Sequence, residues 1–207
     1  MTYKTYFDRR EEAAMFGVEE DADFIPLVAD EDEDSIINME VPETLPILPL
    51  RNTVLFPGVV IPISVGREKS IKLIKEAYKD SNLIGTISQK NAELEEPEQK
   101  DMYKVGTVAR IIKILQMPDD STTVIIQGRK RFELNEITSD NPYHVARVTA
   151  IEEVKPLEMD DEYEALVSSL KELSIKIIQL SSNIPSEASF AVKNIENASF
   201  LINFICS

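Results

Sequence analysis

The chain has 207 residues, is 43% hydrophobic and carries a formal charge of -15 at pH 7, which suits a globular protein with one large or two small cores. No run approaches the roughly 18 to 20 apolar residues of a membrane helix, and Met1-Thr2-Tyr3-Lys4 lacks the apolar core of an export signal. One cysteine, Cys206, and one histidine, His144, exclude an internal disulfide and a zinc site and agree with a cytoplasmic setting.

The charge is concentrated at the front. Residues 1–44 hold fourteen acids against three bases, whereas the remaining 163 residues hold 23 acids against 19 bases. An acidic leader of this composition is expected to be solvated and flexible. Within it, the apolar island Phe24-Ile25-Pro26-Leu27-Val28 is suited to docking as an added strand, on the body or on a neighbouring subunit.

From Leu45 to Ile63 two short apolar runs carry Pro46, Pro49, Pro57 and Pro62, which forbid a helix and confine the strands to edges or interruptions. Phe56-Pro57-Gly58 reads as a type II turn, with proline presetting the first central angle and glycine supplying the positive one. Ser70 to Lys79 is a short amphipathic helix with Ile71, Ile74, Ala77 and Tyr78 on one face. Leu83 to Ser88 is a strand, and Asn91 to Asp101 a polar loop rich in glutamate. Val105 to Gln116 and Thr122 to Gln127 pair as a hairpin around Pro118-Asp119-Asp120. Arg131 to Ile137 and Tyr143 to Ile151 add strands on either side of a turn at Ser139-Asp140-Asn141-Pro142. The first half thus comprises about six strands and one helix.

The second half changes period. Leu166, Val167, Leu170, Leu173, Ile177, Ile178 and Leu180 fall at three-four spacing, as on one helical face. A second helix starts near Pro185-Ser186, buries Ala188, Ala191, Val192, Ile195, Ala198, Leu201, Ile202 and Ile205, and pairs with the first as a hairpin. The end, Asn203-Phe204-Ile205-Cys206-Ser207, has neither a glycine cap nor a basic last turn, so the helical part is expected to continue beyond Ser207.

Catalytic chemistry cannot be assembled from these residues. His144 reads as a strand histidine without a partner at useful spacing. Six scattered glycines form neither a phosphate loop nor a dinucleotide fingerprint. The acidic runs lack the spacing of a calcium loop. Ser70 with Lys69 and Lys72, and Ser174 with Lys176, read as surface pairs rather than as a nucleophile and its base. No metal or cofactor is expected.

The string from Leu45 to Ile63, continued by Val65-Gly66-Arg67, resembles the opening of the N-terminal domain of the Lon ATP-dependent protease family. Further matches follow in order at Ser70, Gln89-Lys90, Val105-Gly106-Thr107-Val108-Ala109, Gln127-Gly128 with Arg131-Phe132, and Pro142-Tyr143 with Ala146-Arg147-Val148. The resemblance covers residues 45 to about 151 and implies an α+β chain: a PUA-like small β-barrel or β-sheet subdomain with one helix over 45–154, then a C-terminal α-helical bundle over 155–207. It implies a non-enzymatic binding module for unfolded or damaged polypeptides, working in protein quality control within a homo-oligomeric ATP-dependent serine protease whose ATPase and protease segments lie outside these residues. A stand-alone adaptor of the same domain type is the alternative. Binding unfolded chains requires apolar side chains left partly wet, and Val54, Leu55 and Phe56 at the first turn, with Met117 at the hairpin tip, are the candidates; core packing is their competing reading. Some PUA-like folds bind RNA, and Arg129-Lys130-Arg131 with Arg110, Lys113 and Arg147 is the candidate patch. The acidic pI near 4.5 and the lack of interleaved aromatics favour ordinary solvated charges instead.

Overall fold

The computed structural model describes residues 27–28, 39–117, 121–154, 160–185 and 187–207. Most of the acidic leader, including Phe24, Ile25 and Pro26, and the turn at Pro118-Asp119-Asp120 lie outside the described residues, as does the cap at Ser186.

Seven strands are described: β1 (Leu27–Val28), β2 (Thr44–Leu50), β3 (Val59–Val65), β4 (Leu83–Ser88), β5 (Val105–Gln116), β6 (Thr122–Ser139) and β7 (Val145–Ala150). They form one mixed sheet in the order β1-β3-β6-β5-β4-β2-β7, and β6 also pairs with β7. Only β2 and β4 run parallel. Leu27 and Val28 of the apolar island pair antiparallel with Val60 and Val59, so this part of the island does add a strand.

Strand β2 resolves the proline problem by changing partners halfway. Thr44 to Pro46 pair with β7, and Ile47 to Leu50 pair with β4. The Ile47 N–H donates to the His144 carbonyl on the β7 side, and the Leu50 carbonyl accepts from Gln89 N–H on the β4 side. Backbone groups alternate sides along a strand. Pro46 therefore directs its missing donor toward the β4 side, where pairing has not begun, and Pro49 directs its own toward the side that β7 has left. Neither proline breaks a ladder bond.

The expected break at residues 128–130 is absent. Strand β6 runs through it because Ala109 pairs with Gly128 and Thr107 with Arg131, a register shift that absorbs one extra residue of β6. Arg129 is consequently buried rather than part of a solvated turn. Two apolar clusters fill the sheet. One gathers Leu48, Leu50, Ile84, Val124 and Ile126 beneath α1 (Glu68–Ala77). The other surrounds Phe132, which is fully buried with Leu45, Val108 and Ala146. A Cβ at Gly106 would lie 2.6 Å from the Phe132 ring, so that glycine is needed for the ring to seat.

Helix α1 buries Ser70, Leu73, Ile74 and Ala77, which share a stripe at spacing three and four. Leu73 takes the place expected of Tyr78, which follows the helix as its C-cap residue and is exposed. The second half contains three helices: α2 (Asp161–Leu180), α3 (Glu187–Asn194) and α4 (Ala198–Cys206). The single helix expected from Pro185 to Ile205 is thus split. Asn194 turns its amide back to the Phe190 carbonyl, and Asn197 accepts the Phe200 N–H at 2.8 Å as a new N-cap; asparagine favours such local bonds over helix interiors.

Two compact units result, with α2 and α3 in one and the sheet, α1 and α4 in the other. In the first, α2 is capped by Asp160, which accepts the Tyr163 N–H at 2.9 Å, and it packs against α3. It buries Ser174 and Ile178, while Leu166, Leu173, Ile177 and Leu180 remain exposed. An eight-residue helix covers only part of a helix of twenty.

Pro49→Ala should cost no more than about 1 kcal/mol, the loss of chain stiffness alone. Leu45→Ala, deep in the second cluster, should cost about 2–5 kcal/mol. Urea unfolding of both variants measures the contrast, and equal losses would mean that Pro49 is held by more than its backbone. Asn197→Ala should cost about 1 kcal/mol, read as a lowered unfolding midpoint with amide exchange accelerated first in α4.

Candidate functional site

The segment between β2 and β3 is held by a set of short polar contacts. Gly58 has φ +80° and the Val59 N–H donates to the Phe56 carbonyl at 3.2 Å, as the expected turn at Phe56-Pro57-Gly58 requires. Gly58 N–H donates to the Gly128 carbonyl at 2.9 Å. A Cβ on Gly128 would sit 2.1 Å from the Phe56 carbonyl oxygen, so the turn can approach β6 this closely only over a glycine. Upstream, Thr107 Oγ1 donates to the Leu55 carbonyl at 2.7 Å and Ser88 Oγ to the Thr53 carbonyl at 2.5 Å. Downstream, Asn203 Nδ2 of α4 donates to the Pro57 carbonyl at 3.2 Å. Arg131 in turn donates to Asn203 Oδ1 at 2.6 Å and to Glu153 at 2.7 Å. Carbonyls fixed in this way leave the loop little freedom.

The rigid loop forms one wall of a largely apolar groove of about 480 Å³. Val54 and Phe56 contribute from the loop, and Tyr103 and Val105 from the start of β5, with Lys104 and Arg131 among the polar lining. Val54, Tyr103 and Val105 are 54%, 55% and 50% exposed, an unusual concentration of wet apolar surface. Leu55 also reaches the groove but is 3% exposed and belongs to the core, so its side chain anchors the loop. Met117, half-buried at the end of β5, does not line this groove. Tyr103 and Val105 escaped the sequence reading because they flank a polar loop and enter a β-branched strand; the one available signal was an aromatic beside Met102 amid acidic and amide residues.

Other candidate residues are distributed elsewhere. His144 Nδ1 lies 2.8 Å from Asp140 Oδ1, and its carbonyl holds β2. Ser70 and Ser174 are buried rather than on the surface; Ser174 Oγ donates to the Leu170 carbonyl at 2.7 Å, and Lys69 pairs with Glu96. The basic residues near 130 face glutamates: Lys130 pairs with Glu152, Arg131 with Glu153 and Arg147 with Glu136. Among the described residues no group of three or more histidine, cysteine, aspartate or glutamate side chains is placed to hold a metal ion, and no helix is long and apolar enough to cross a membrane.

Comparison with known proteins gives a consistent result. The family model described as the ATP-dependent protease La (LON) substrate-binding domain matches residues 44–207. The chain is 57% identical over 187 residues to a Lon protease of Flavobacterium johnsoniae, covering 90% of this chain and 23% of that protein. It is 48% identical over 179 residues to a Lon protease of Parabacteroides distasonis, covering 86% of this chain and 22% of that protein. Less than a quarter of each relative's length is therefore spanned. Among solved structures, the N-terminal domain of the Mycobacterium avium complex Lon protease superposes with a TM-score of 0.61 at 21% identity, covering 77% of this chain and 80% of that one. A Lon N-terminal domain protein from Xanthomonas campestris superposes at 0.51 and 17% identity, covering 79% and 96%. At these identities the structures speak for the fold alone, and the fold they share with this chain is that of the Lon N-terminal domain. With the family model matched from the start of β2 to Ser207, the chain belongs to the Lon protease substrate-binding domain family.

Proposed function

We propose that this chain recognises unfolded or damaged polypeptides through the groove of Val54, Phe56, Tyr103 and Val105, on behalf of a cytoplasmic, homo-oligomeric Lon-type protease. In this reading residues 1–44 are an acidic extension, 45–154 a PUA-like subdomain whose ladder closes through the β6–β7 pairing into a small barrel, and 155–207 the beginning of a helical bundle. ATP hydrolysis and peptide cleavage in protein quality control belong to ATPase and serine-protease segments outside these residues. The chain itself binds and delivers.

The observation that supports this reading best is the coexistence of a rigid wall with wet apolar side chains. Exposed Val54, Tyr103 and Val105 carry a hydration cost that an incoming apolar side chain relieves, at roughly 25 cal/mol per Å² buried. The loop pays little ordering entropy on binding, since its carbonyls are already fixed. One groove of this size holds one or two side chains, so a single domain binds weakly, and several copies arrayed on one oligomer raise the effective affinity. Recognition by apolar burial also tolerates many sequences, which suits a partner defined by being unfolded.

Val54→Asp and Tyr103→Asp should each weaken binding of a reduced, denatured model protein about tenfold, a loss typical of a central interface residue, with the unfolding midpoint shifted by less than about 0.5 kcal/mol as for ordinary surface changes. Fluorescence anisotropy with parallel thermal melts measures both quantities, and unchanged binding in both folded variants would move the contact elsewhere. Leu55→Asp is the contrasting case: it places a charge in the core and should unfold the sheet. Gly128→Ala should cost about 2–4 kcal/mol and weaken binding with it, because the Phe56 carbonyl must retreat from β6; its unfolding curve and its affinity at low temperature test the link between wall and groove.

A further inference from the structure

One side chain belongs both to the apolar groove and to the support of its wall. Arg131 is among the residues that line the groove, yet its terminal nitrogens are engaged outside it: Nη1 donates to Glu153 at 2.7 Å and Nη2 to Asn203 Oδ1 of α4 at 2.6 Å. Asn203 spends its other atom, Nδ2, on the carbonyl of Pro57, the residue after Phe56. Its side chain is buried, so loss of either bond leaves a polar group dry. A ring of α4 completes the contact. Phe200 lies so near the turn that a Cβ on Gly58 would meet it at 2.6 Å, and it packs on Phe204 with ring centroids 6.2 Å apart. The turn that carries the groove wall therefore rests on Gly128 and is braced by α4.

Helix α4 in turn is a helix only because it is seated. Its nine residues are too few for a helix that is stable alone in water. Neither an acidic first turn nor a basic last turn complements its dipole. What holds it is the burial of Leu201, Asn203 and Phe204, so lifting it from the sheet also melts it, as one local step. Only Ile195, Glu196 and Asn197 join it to α3, which belongs to the other compact unit, and tension along the chain from that unit arrives at α4 directly.

We propose that α4 is a latch on the groove: seated, it holds the wall at Val54 and Phe56 in its binding shape, and a polypeptide bound there holds α4 seated in return. Lifting α4 withdraws the donor from the Pro57 carbonyl, frees the Arg131 guanidinium to turn into the apolar space and lets the loop slacken. The grip on an apolar side chain then falls. Asn203 and Arg131 are positioning residues in this scheme, and the two directions of influence are one coupling free energy, equal by linkage. The inference rests on the reading of the groove as a polypeptide site and adds the regulation of that site.

The test uses the full chain and the reduced, denatured model protein, with hydrogen exchange at the α4 amides as the measure of how often the latch opens. Saturating ligand should slow that exchange about fivefold, the lower end of ordinary coupling between sites, whereas a ligand indifferent to α4 leaves local opening as it was. Asn203→Asp keeps an acceptor for Arg131 and loses the donor to Pro57. It should weaken ligand binding about fivefold, speed exchange at the Leu55, Phe56 and Gly58 amides, and abolish the ligand-dependent slowing in α4. The measurement on the native chain stands whether or not that variant folds. Exchange in α4 that is the same with and without ligand, or an Asn203→Asp chain that folds and binds as the native one does, overturns the latch. Val54→Asp and Tyr103→Asp separate the two readings: weakened binding in these variants beside ligand-independent α4 exchange in the native chain retains the groove and rejects the latch, while undiminished binding in both moves the polypeptide contact elsewhere and takes the latch with it.

Discussion

The approach of the Phe56 carbonyl to Gly128 governs the arrangement of the loop between β2 and β3 and of the groove beside it. At a separation where any side chain on residue 128 would overlap the carbonyl oxygen, the turn after β2 lies directly on the middle of β6. That contact fixes where β3 begins, because Gly58 bonds to the Gly128 carbonyl in the same step. It also sets which way Val54 and Phe56 face, since the carbonyls of Thr53, Leu55 and Pro57 are then within reach of Ser88, Thr107 and Asn203. A loop between strands would ordinarily be the softest part of the sheet. Here it is held from three directions.

The same geometry explains why apolar surface persists beside a core with ample capacity. Leu55 points inward and joins the first cluster, which commits its neighbours in this extended stretch to the other side. Val54 is left wet, and Tyr103 and Val105 meet it across the groove. Arg131 links this wall to α4 through Asn203, so the last helix of the chain supports the first turn of the body although nearly 150 residues separate Asn203 from Pro57. A stable wall and an unsatisfied apolar face are thus products of one packing arrangement.

The pairing of β2 has a different origin. Proline in β2 removes donors on the sides where that strand has no described partner, which is how edge strands are kept from pairing indiscriminately. At β2 the proline silences the edge.

Much of this architecture was legible in the residues. The proline punctuation, the Phe56-Pro57-Gly58 turn, the amphipathic helix after Gly66 and the strand at Leu83 follow from local angles and side-chain periods, and the ordered motifs from Leu45 to Val148 carried the family. What the chain could not announce depended on partners distant in sequence. Continuity of β6 through Gly128 needed a bulge against β5 and a turn seated on the glycine. The split at Asn197 pitted local asparagine bonds against an unbroken apolar period, and the local bonds prevailed. Burial of Leu55 beside exposed Val54, and the arrival of Tyr103 and Val105 opposite them, were decided only when β5 was placed against the loop. Backbone preferences are written residue by residue; which side of a residue meets water is a property of the assembled sheet.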